Sequence, residues 1–404
     1  MLGATHHNDV GREAMHHESA ERLCDVREYV LEAFNANGGT MRTSKAMEYI
    51  LALYRSGVRR TIFLIGPPGI GKTTIIKAAS REMGGQFWLN DLSSSAVEDL
   101  KGLPKGSGDV MDFIPDRKLW EACQPDAKGF FVLDDLPAAG RSVAIAARQL
   151  ALERSMHNHL LANGVQVVVT GNRRNDGAGA RTLPSHFRNS VTIIEVEANL
   201  KDWCDWYQGT GLPPSVAAFL SYRPAHFSQT PDKASENGAF ATPRSWHSLA
   251  EQLDTARDAG VLYDVASGTI GAGPAAEFTA WLKLRDTLVS PTDLLANPKR
   301  ALPDPGKLVG NPDQISALVS GIIEHTLGKA KISGKDLGKL IQAMAWVCRE
   351  NREYGVSGVN MVQAIGGKAL SSRFARTLVG LRMSDPDVDN LYKGFLKAMP
   401  MEAQ

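Results

Sequence analysis

The chain has 404 residues, with 45 basic and 44 acidic side chains. That length is enough for two or three domains with a sizeable core, and the charge balance gives no bulk electrostatic argument for a nucleic-acid or membrane partner. The four cysteines, Cys24, Cys123, Cys204 and Cys348, are far apart and form no CxxC pair, which argues against a disulfide or zinc framework and for reduced thiols. No apolar run reaches the roughly 18–20 residues of a membrane span. The N-terminus, with His6, His7, Asp9, His16 and His17, lacks the apolar core of a signal peptide, so a solvated segment on a cytoplasmic chain is expected.

Taken in chain order, apolar residues at helical spacing predict a helix over 18–36 (Leu23, Val26, Val30, Leu31, Phe34) and another over 44–56 (Met47, Ile50, Leu51, Tyr54). The run Thr61, Ile62, Phe63, Leu64, Ile65 is apolar and rich in β-branched residues, as in a strand buried on both faces. Further strands are predicted over 86–89, 129–133, 165–170 and 191–196, with helices or loops between them. Residues 100–118 carry too much Gly, Pro and charge for a sheet element and read as an exposed insertion. Beyond Asp202 helical patterns dominate, interrupted by a Gly/Pro-rich break at 266–274 and a Pro-rich linker at 288–312. Apolar spacing then predicts helices through Ile315, Leu318, Val319, Ile322 and Leu327, and through Leu337, Leu340, Ile341, Met344 and Val347. Five strands alternating with helices imply a parallel α/β sheet with helices on both faces.

Residues Gly66, Pro67, Pro68, Gly69, Ile70, Gly71, Lys72 and Thr73 complete a GxxxxGK[ST] pattern between the first strand and a breaker-free helical run that opens with Thr74. In that setting the glycines let backbone N–H groups turn inward around phosphate oxygens. Lys72 then reaches the β- and γ-phosphates, and the Thr73 hydroxyl is placed to ligate Mg²⁺. The third strand runs into Asp134 and Asp135, a Walker B pattern in which Asp134 supports the Mg²⁺ shell and Asp135 stands where a general base for the attacking water belongs. The fourth strand ends at Gly171-Asn172, which puts an amide able to orient that water beside the Walker B acids, provided the two strands are neighbours. ATP and Mg²⁺ are the cofactors these residues call for. Trp203, Trp206 and Tyr207 lack interleaved basic residues and read as packing between lobes rather than base stacking.

With these motifs in hand, the chain resembles the AAA+ ATPases, and within them the MoxR-like branch that includes the rubisco-activase and nitric-oxide-reductase accessory ATPases. The resemblance rests on GPPGIGKTT, on Asp99 to Pro104, on FVLDDLPAA, on Gln149 to Arg154, on Thr170-Gly171-Asn172-Arg173, on Leu183 to Asn189 and on Ala241 to Trp246, all in the family's order. It implies a P-loop NTPase domain over 45–200 after an N-terminal helical segment at 1–44, a small helical lid domain over 201–290, and a helical C-terminal region over 291–404. It implies sensor roles for Asn172 and, in the lid, for Arg244. It implies an arginine finger from a neighbouring subunit, for which Arg188 comes first and Arg181 second, because Ser190 occupies the usual position. A homo-oligomeric ring, a hexamer by that analogy, is implied, together with a protein client and a partner bearing a von Willebrand A domain. Most such ATPases carry Glu where this chain has Asp135. Beside the client-remodelling ATPase stand two other readings: a slow-turnover nucleotide-gated scaffold, and a DNA-associated motor of phage or mobile-element type that no basic-aromatic groove supports.

Overall fold

The computed structural model describes residues 40–173, 176, 183–229, 238–308, 310–329, 331–350 and 352–398. The helix expected over 18–36, Cys24 and the His-rich start lie outside the described residues. The chain divides after Asn199 into two compact units.

The first unit opens with a two-residue strand, β1 (Met41–Arg42), and helix α1 (Thr43–Arg55), which buries Ala46, Ile50, Leu51 and Leu53. Strand β2 (Ile62–Ile65) leads through the glycine loop into α2 (Lys72–Glu82), followed by β3 (Gln86–Asp91) and the short α3 (Val97–Lys101). A hairpin of β4 (Leu103–Ser107) and β5 (Val110–Ile114) comes next, then α4 (Arg117–Ala122), β6 (Lys128–Asp134) and α5 (Arg141–Glu153). A second hairpin, β7 (Ser155–Met156) with β8 (His159–Leu160), precedes β9 (Gly164–Gly171), α6 (Ser185–Ser190) and β10 (Thr192–Glu197).

Six strands form one sheet in the order β1-β10-β2-β9-β6-β3, every pairing parallel. Period-2 alternation sends successive side chains to opposite faces. Phe63, Phe131, Leu133, Val165, Val167 and Val169 enter one core with Val143, Ala147 and Leu150 of α5. Ile62, Leu64, Phe130, Val132 and Val168 enter the other with Ile50 of α1 and Ile76 of α2. Strands covered on both faces need apolar residues at every position, which is why they read as continuous apolar runs.

Two expectations need correction. The sheet has six strands rather than five, because β1 is too short to show any periodicity and gains its place by pairing Met41 with Val196 and Arg42 with Glu197. The 100–118 segment does hold sheet structure, with Leu103 opposite Ile114 and Ser107 opposite Val110. It is nonetheless exposed, since Leu103, Val110, Met111 and Ile114 are each more than half accessible.

The second unit, among the described residues, is helical. It contains α7 (Leu200–Tyr207), α8 (Ser215–Tyr222), α9 (Pro243–Asp258), α10 (Leu262–Ile270), α11 (Ala272–Thr287), α12 (Pro291–Ala296), α13 (Pro298–Ala301), α14 (Pro312–Leu327), α15 (Gly334–Val347), α16 (Arg352–Leu381) and α17 (Pro386–Ala398). The expected break at 266–274 shrinks to Gly271, whose φ of 88° separates α10 from α11. The Pro-rich linker is partly helical, with Pro291 and Pro298 each at the first position of a short helix, where a missing N–H costs nothing. Trp203 stacks on Tyr207 at 4.5 Å and meets Phe227 edge-on, a packing role within this unit. Trp206 stays partly exposed.

Candidate nucleotide site

An all-parallel sheet gathers the carboxyl ends of its strands along one edge, where ligands of open α/β sheets bind. The glycine loop leaves that edge after β2, the Asp134-Asp135 pair after β6, and Asn172 after β9, which lies hydrogen-bonded between the other two. The neighbouring-strand condition for Asn172 is therefore met.

The glycines serve distinct needs. Gly71, at φ 96°, caps the N-terminus of α2 in a left-handed conformation that side chains disfavour. A Cβ on Gly66 would sit 2.2 Å from the carbonyl oxygen of Val196, so only glycine lets the loop pass the end of β10. Lys72, buried at the start of α2, donates to Gly66 O (2.9 Å), Pro67 O (2.8 Å) and Asn172 Oδ1 (2.9 Å). Its ammonium is thus held over the mouth of the loop, tied to the Asn172 amide from the first position of the helix.

Thr73 Oγ1 donates to Asp134 Oδ1 at 2.8 Å. A hydroxyl and a carboxylate one hydrogen bond apart are hard oxygen donors of the kind Mg²⁺ takes, so the donor set fits that ion. The Thr170 hydroxyl makes a second short hydrogen bond to the same Asp134 oxygen and accepts the Asp135 N–H at 3.1 Å. Asp135 itself is left-handed, at φ 56° and ψ 45°, and its Oδ1 receives the Asn172 amide at 3.4 Å. Burial, and then the charge of Asp134, push the Asp135 carboxyl above its usual range, while Lys72 pulls it down. Asp91, paired in register with Asp134 across β3 and β6, adds to the upward push.

Lys72, Thr73, Asp134, Asp135 and Asn172 thus share one hydrogen-bonded cluster, joined through the Thr170 hydroxyl. Arg188 is exposed on α6, and Arg181 lies outside the described residues. Arg244 is exposed in the first turn of α9 in the second unit, behind a Thr242–Ser245 capping box. The arginine next to Asn172, Arg173, is bound to Asp176 and Glu195 at 3.0 and 2.9 Å. Arg154, at the end of α5, folds back onto the carbonyls of Val165 and Ala162 and closes that turn.

Two members of this edge receive no role from the motifs, although Thr170 stands within the Thr170-Gly171-Asn172-Arg173 stretch. Thr170 looks like the last β-branched residue of a buried strand, and Asp91 like the polar end of another. Their relevance follows only from strand order.

Residues 62–193 match the family model described as "ATPase family associated with various cellular activities (AAA)". This part of the chain is an AAA ATPase domain. The matched span of the AAA domain begins at β2 and ends within β10, so it encloses every residue of the cluster. No curated protein matches the chain. Among solved structures, a protein from Cytophaga hutchinsonii, itself described only provisionally as an ATPase, shares 13% identity over 64% of this chain and 89% of its own, with a TM-score of 0.30. That likeness is remote. Among the described residues no helix is long and apolar enough to cross a membrane.

Proposed function

We propose that the protein is a Mg²⁺-dependent AAA+ ATPase of the MoxR type, which assembles into a ring and uses ATP turnover to remodel a protein client. The observation that carries the ATPase part is the single cluster of Lys72, Thr73, Asp134, Asp135 and Asn172, joined through the Thr170 hydroxyl, at the carboxyl edge of the sheet. In this reading the loop from Gly66 to Thr74, with Pro67, Pro68, Gly69, Ile70 and Gly71, wraps the phosphates. Lys72 exchanges the carbonyls of Gly66 and Pro67 for phosphate oxygens. Thr73 and Asp134 would hold Mg²⁺, which when bound neutralises charge on the phosphates. Asp135 takes a proton from the attacking water, and Asn172, already within reach of Asp135, orients that water. Asn172 also loses its bond to Lys72 once the lysine turns to phosphate, so the amide can report what the loop holds.

The ring is supported by the resemblance and by the AAA match, and the client, a von Willebrand A partner and the roles of Arg188 and Arg244 by the resemblance alone. The exposed β4–β5 hairpin is the surface we assign to the client. The test of the enzyme reading is direct. Purified protein is expected to hydrolyse ATP only with Mg²⁺, and Lys72→Ala is expected to lose both nucleotide binding and turnover. A wild-type chain that binds ATP but releases no phosphate at any protein concentration would remove the motor reading.

Asp135 favours a slow-switch version of the same function. It is one methylene shorter than the usual Glu, and its carboxyl resists ionisation. If slow turnover is built in, Asp135→Glu will raise kcat several-fold with little change in KM. An unchanged or lower kcat would count against it.

A further inference from the structure

We propose that Thr170 is a positioning residue that sets the orientation of both acidic side chains of the site through one hydroxyl; this rests on the ATPase reading above. β9 between Val165 and Val169 is almost wholly apolar, and Thr170 closes the run with 2% of its surface exposed. A valine would fill the same volume and share the same β propensity, so burial and strand formation do not explain the hydroxyl. A buried hydroxyl needs partners, and both of the ones it has are functional.

The geometry divides the hydroxyl's capacity. Its one proton goes to Asp134 Oδ1, and a lone pair receives the backbone N–H of Asp135. The first bond fixes the Asp134 carboxylate independently of Thr73, which donates to the same oxygen at 2.8 Å. If Thr73 turned its oxygen toward a cation, Thr170 would still hold Asp134 in place. The second bond pins the residue that most needs pinning. Asp135 is a non-glycine residue in left-handed backbone, a conformation that persists only where its surroundings impose it. That turn points its carboxylate at the Asn172 amide, 3.4 Å away. The strand order supplies the reason for the placement: Leu133 pairs with Val169, so the next residues along, Asp134 and Thr170, lie side by side at the carboxyl ends of β6 and β9.

The experiment compares Thr170→Val, which keeps shape and removes both bonds, with Thr170→Ser, which keeps both. Three readouts are taken on the full-length protein: melting temperature, binding of a fluorescent ADP analogue titrated with Mg²⁺, and kcat with KM for ATP. The expected result for Thr170→Val is a fold and Mg²⁺-free ADP affinity close to wild type. Its half-saturating Mg²⁺ should rise about tenfold and its kcat fall about 10–100-fold, the range for losing a residue that orients a metal's supporting ligand. KM should move far less, and Thr170→Ser should restore both quantities.

Two results would overturn the proposal: Thr170→Val retaining wild-type Mg²⁺ dependence and kcat, or Thr170→Ser falling as far as Thr170→Val. Should Thr170→Val fail to fold, Thr170→Cys replaces it, since a thiol is only a weak donor, and the same split is expected. If the wild-type protein releases no phosphate, the ATPase reading fails on that observation alone. The Mg²⁺ titration still decides whether Thr170 orients Asp134.

Discussion

Burial and the charge of Asp134 hold the Asp135 carboxyl above its usual range, with Lys72 pulling against them, and the direction of that shift has consequences for rate and for stability. For catalysis, Asp135 must be ionised to take a proton, so kcat should fall on the acid side at a higher pH than an ordinary aspartate would give. For stability, a carboxyl whose folded pKa exceeds its unfolded one favours the native state when protonated. That contribution is present below the unfolded pKa and is lost as pH rises through the folded value. Asp135→Asn removes the titration while keeping the shape and an oxygen acceptor for the Asn172 amide. It should lose turnover by about 10²–10⁴-fold, the usual contribution of a general base. Its melting temperature relative to wild type should improve as pH is raised from acid toward neutral. Parallel melts and rate profiles across that interval check both signs. A wild-type acid limb at the pH of an unperturbed carboxylate, with no relative gain in melting temperature for the variant, would refute the role of burial.

At the scale of elements, close packing of backbone makes sharp demands. A Cβ on Gly171 would lie 2.5 Å from Cδ of Pro137, in the turn that follows the Walker B acids, whereas one on Gly106 in the β4–β5 hairpin would meet nothing. Gly171→Ala should therefore cost about 1–3 kcal/mol, the usual range for overpacking, and weaken nucleotide binding as the Pro137 turn shifts. Gly106→Ala should do neither, and denaturant unfolding of the two variants separates them. The same contrast explains what was legible in the sequence. The loop from Gly66 to Thr73 and the four strands after it announce themselves through apolar runs cut by breakers, because β6 and β9 are buried on both faces and β3 and β10 each keep buried positions. The hairpin does not, because its ladder is exposed and no buried face imposes an alternating pattern on Lys105, Gly106 and Val110. β1 is invisible for another reason: two residues cannot display a period. Asp134, Asp135 and Asn172 could be named from strand ends alone. Thr170 could not, since a threonine closing a valine-rich strand is ordinary until the strand order sets it beside Asp134. Arg244 and Arg188 were legible only through family likeness, and within this chain both are exposed arginines on short stretches of helix surface.

At the scale of the whole molecule, two described arginines of the first unit that lie close in sequence to the site's motifs are engaged elsewhere. Arg173 is paired to Asp176 and Glu195, and Arg154 is spent on the carbonyls of Val165 and Ala162. In phosphoryl transfer an arginine supplied by a neighbour contributes about 10³–10⁵ in rate, so a ring in which Arg188 completes the adjacent site makes a specific demand on mixtures. Arg188→Ala subunits keep the phosphate loop and lack the finger. Lys72→Ala subunits keep the finger and lack the loop. Each alone should be close to inactive, yet mixed before assembly they should recover activity, since an intact loop then sits next to an intact arginine at some interfaces. Arg244 supplies the internal control, because its proposed role lies within its own subunit: Arg244→Ala mixed with Lys72→Ala places both the loop and Arg244 together in no subunit and should stay inactive. Phosphate release at a series of mixing ratios, with assembly followed by light scattering, reads the result. Recovery in the first mixture and none in the second assigns Arg188 to the neighbour's site. Activity equal to the sum of the separate variants in both, with assembly intact, would show that Arg188 is not the finger.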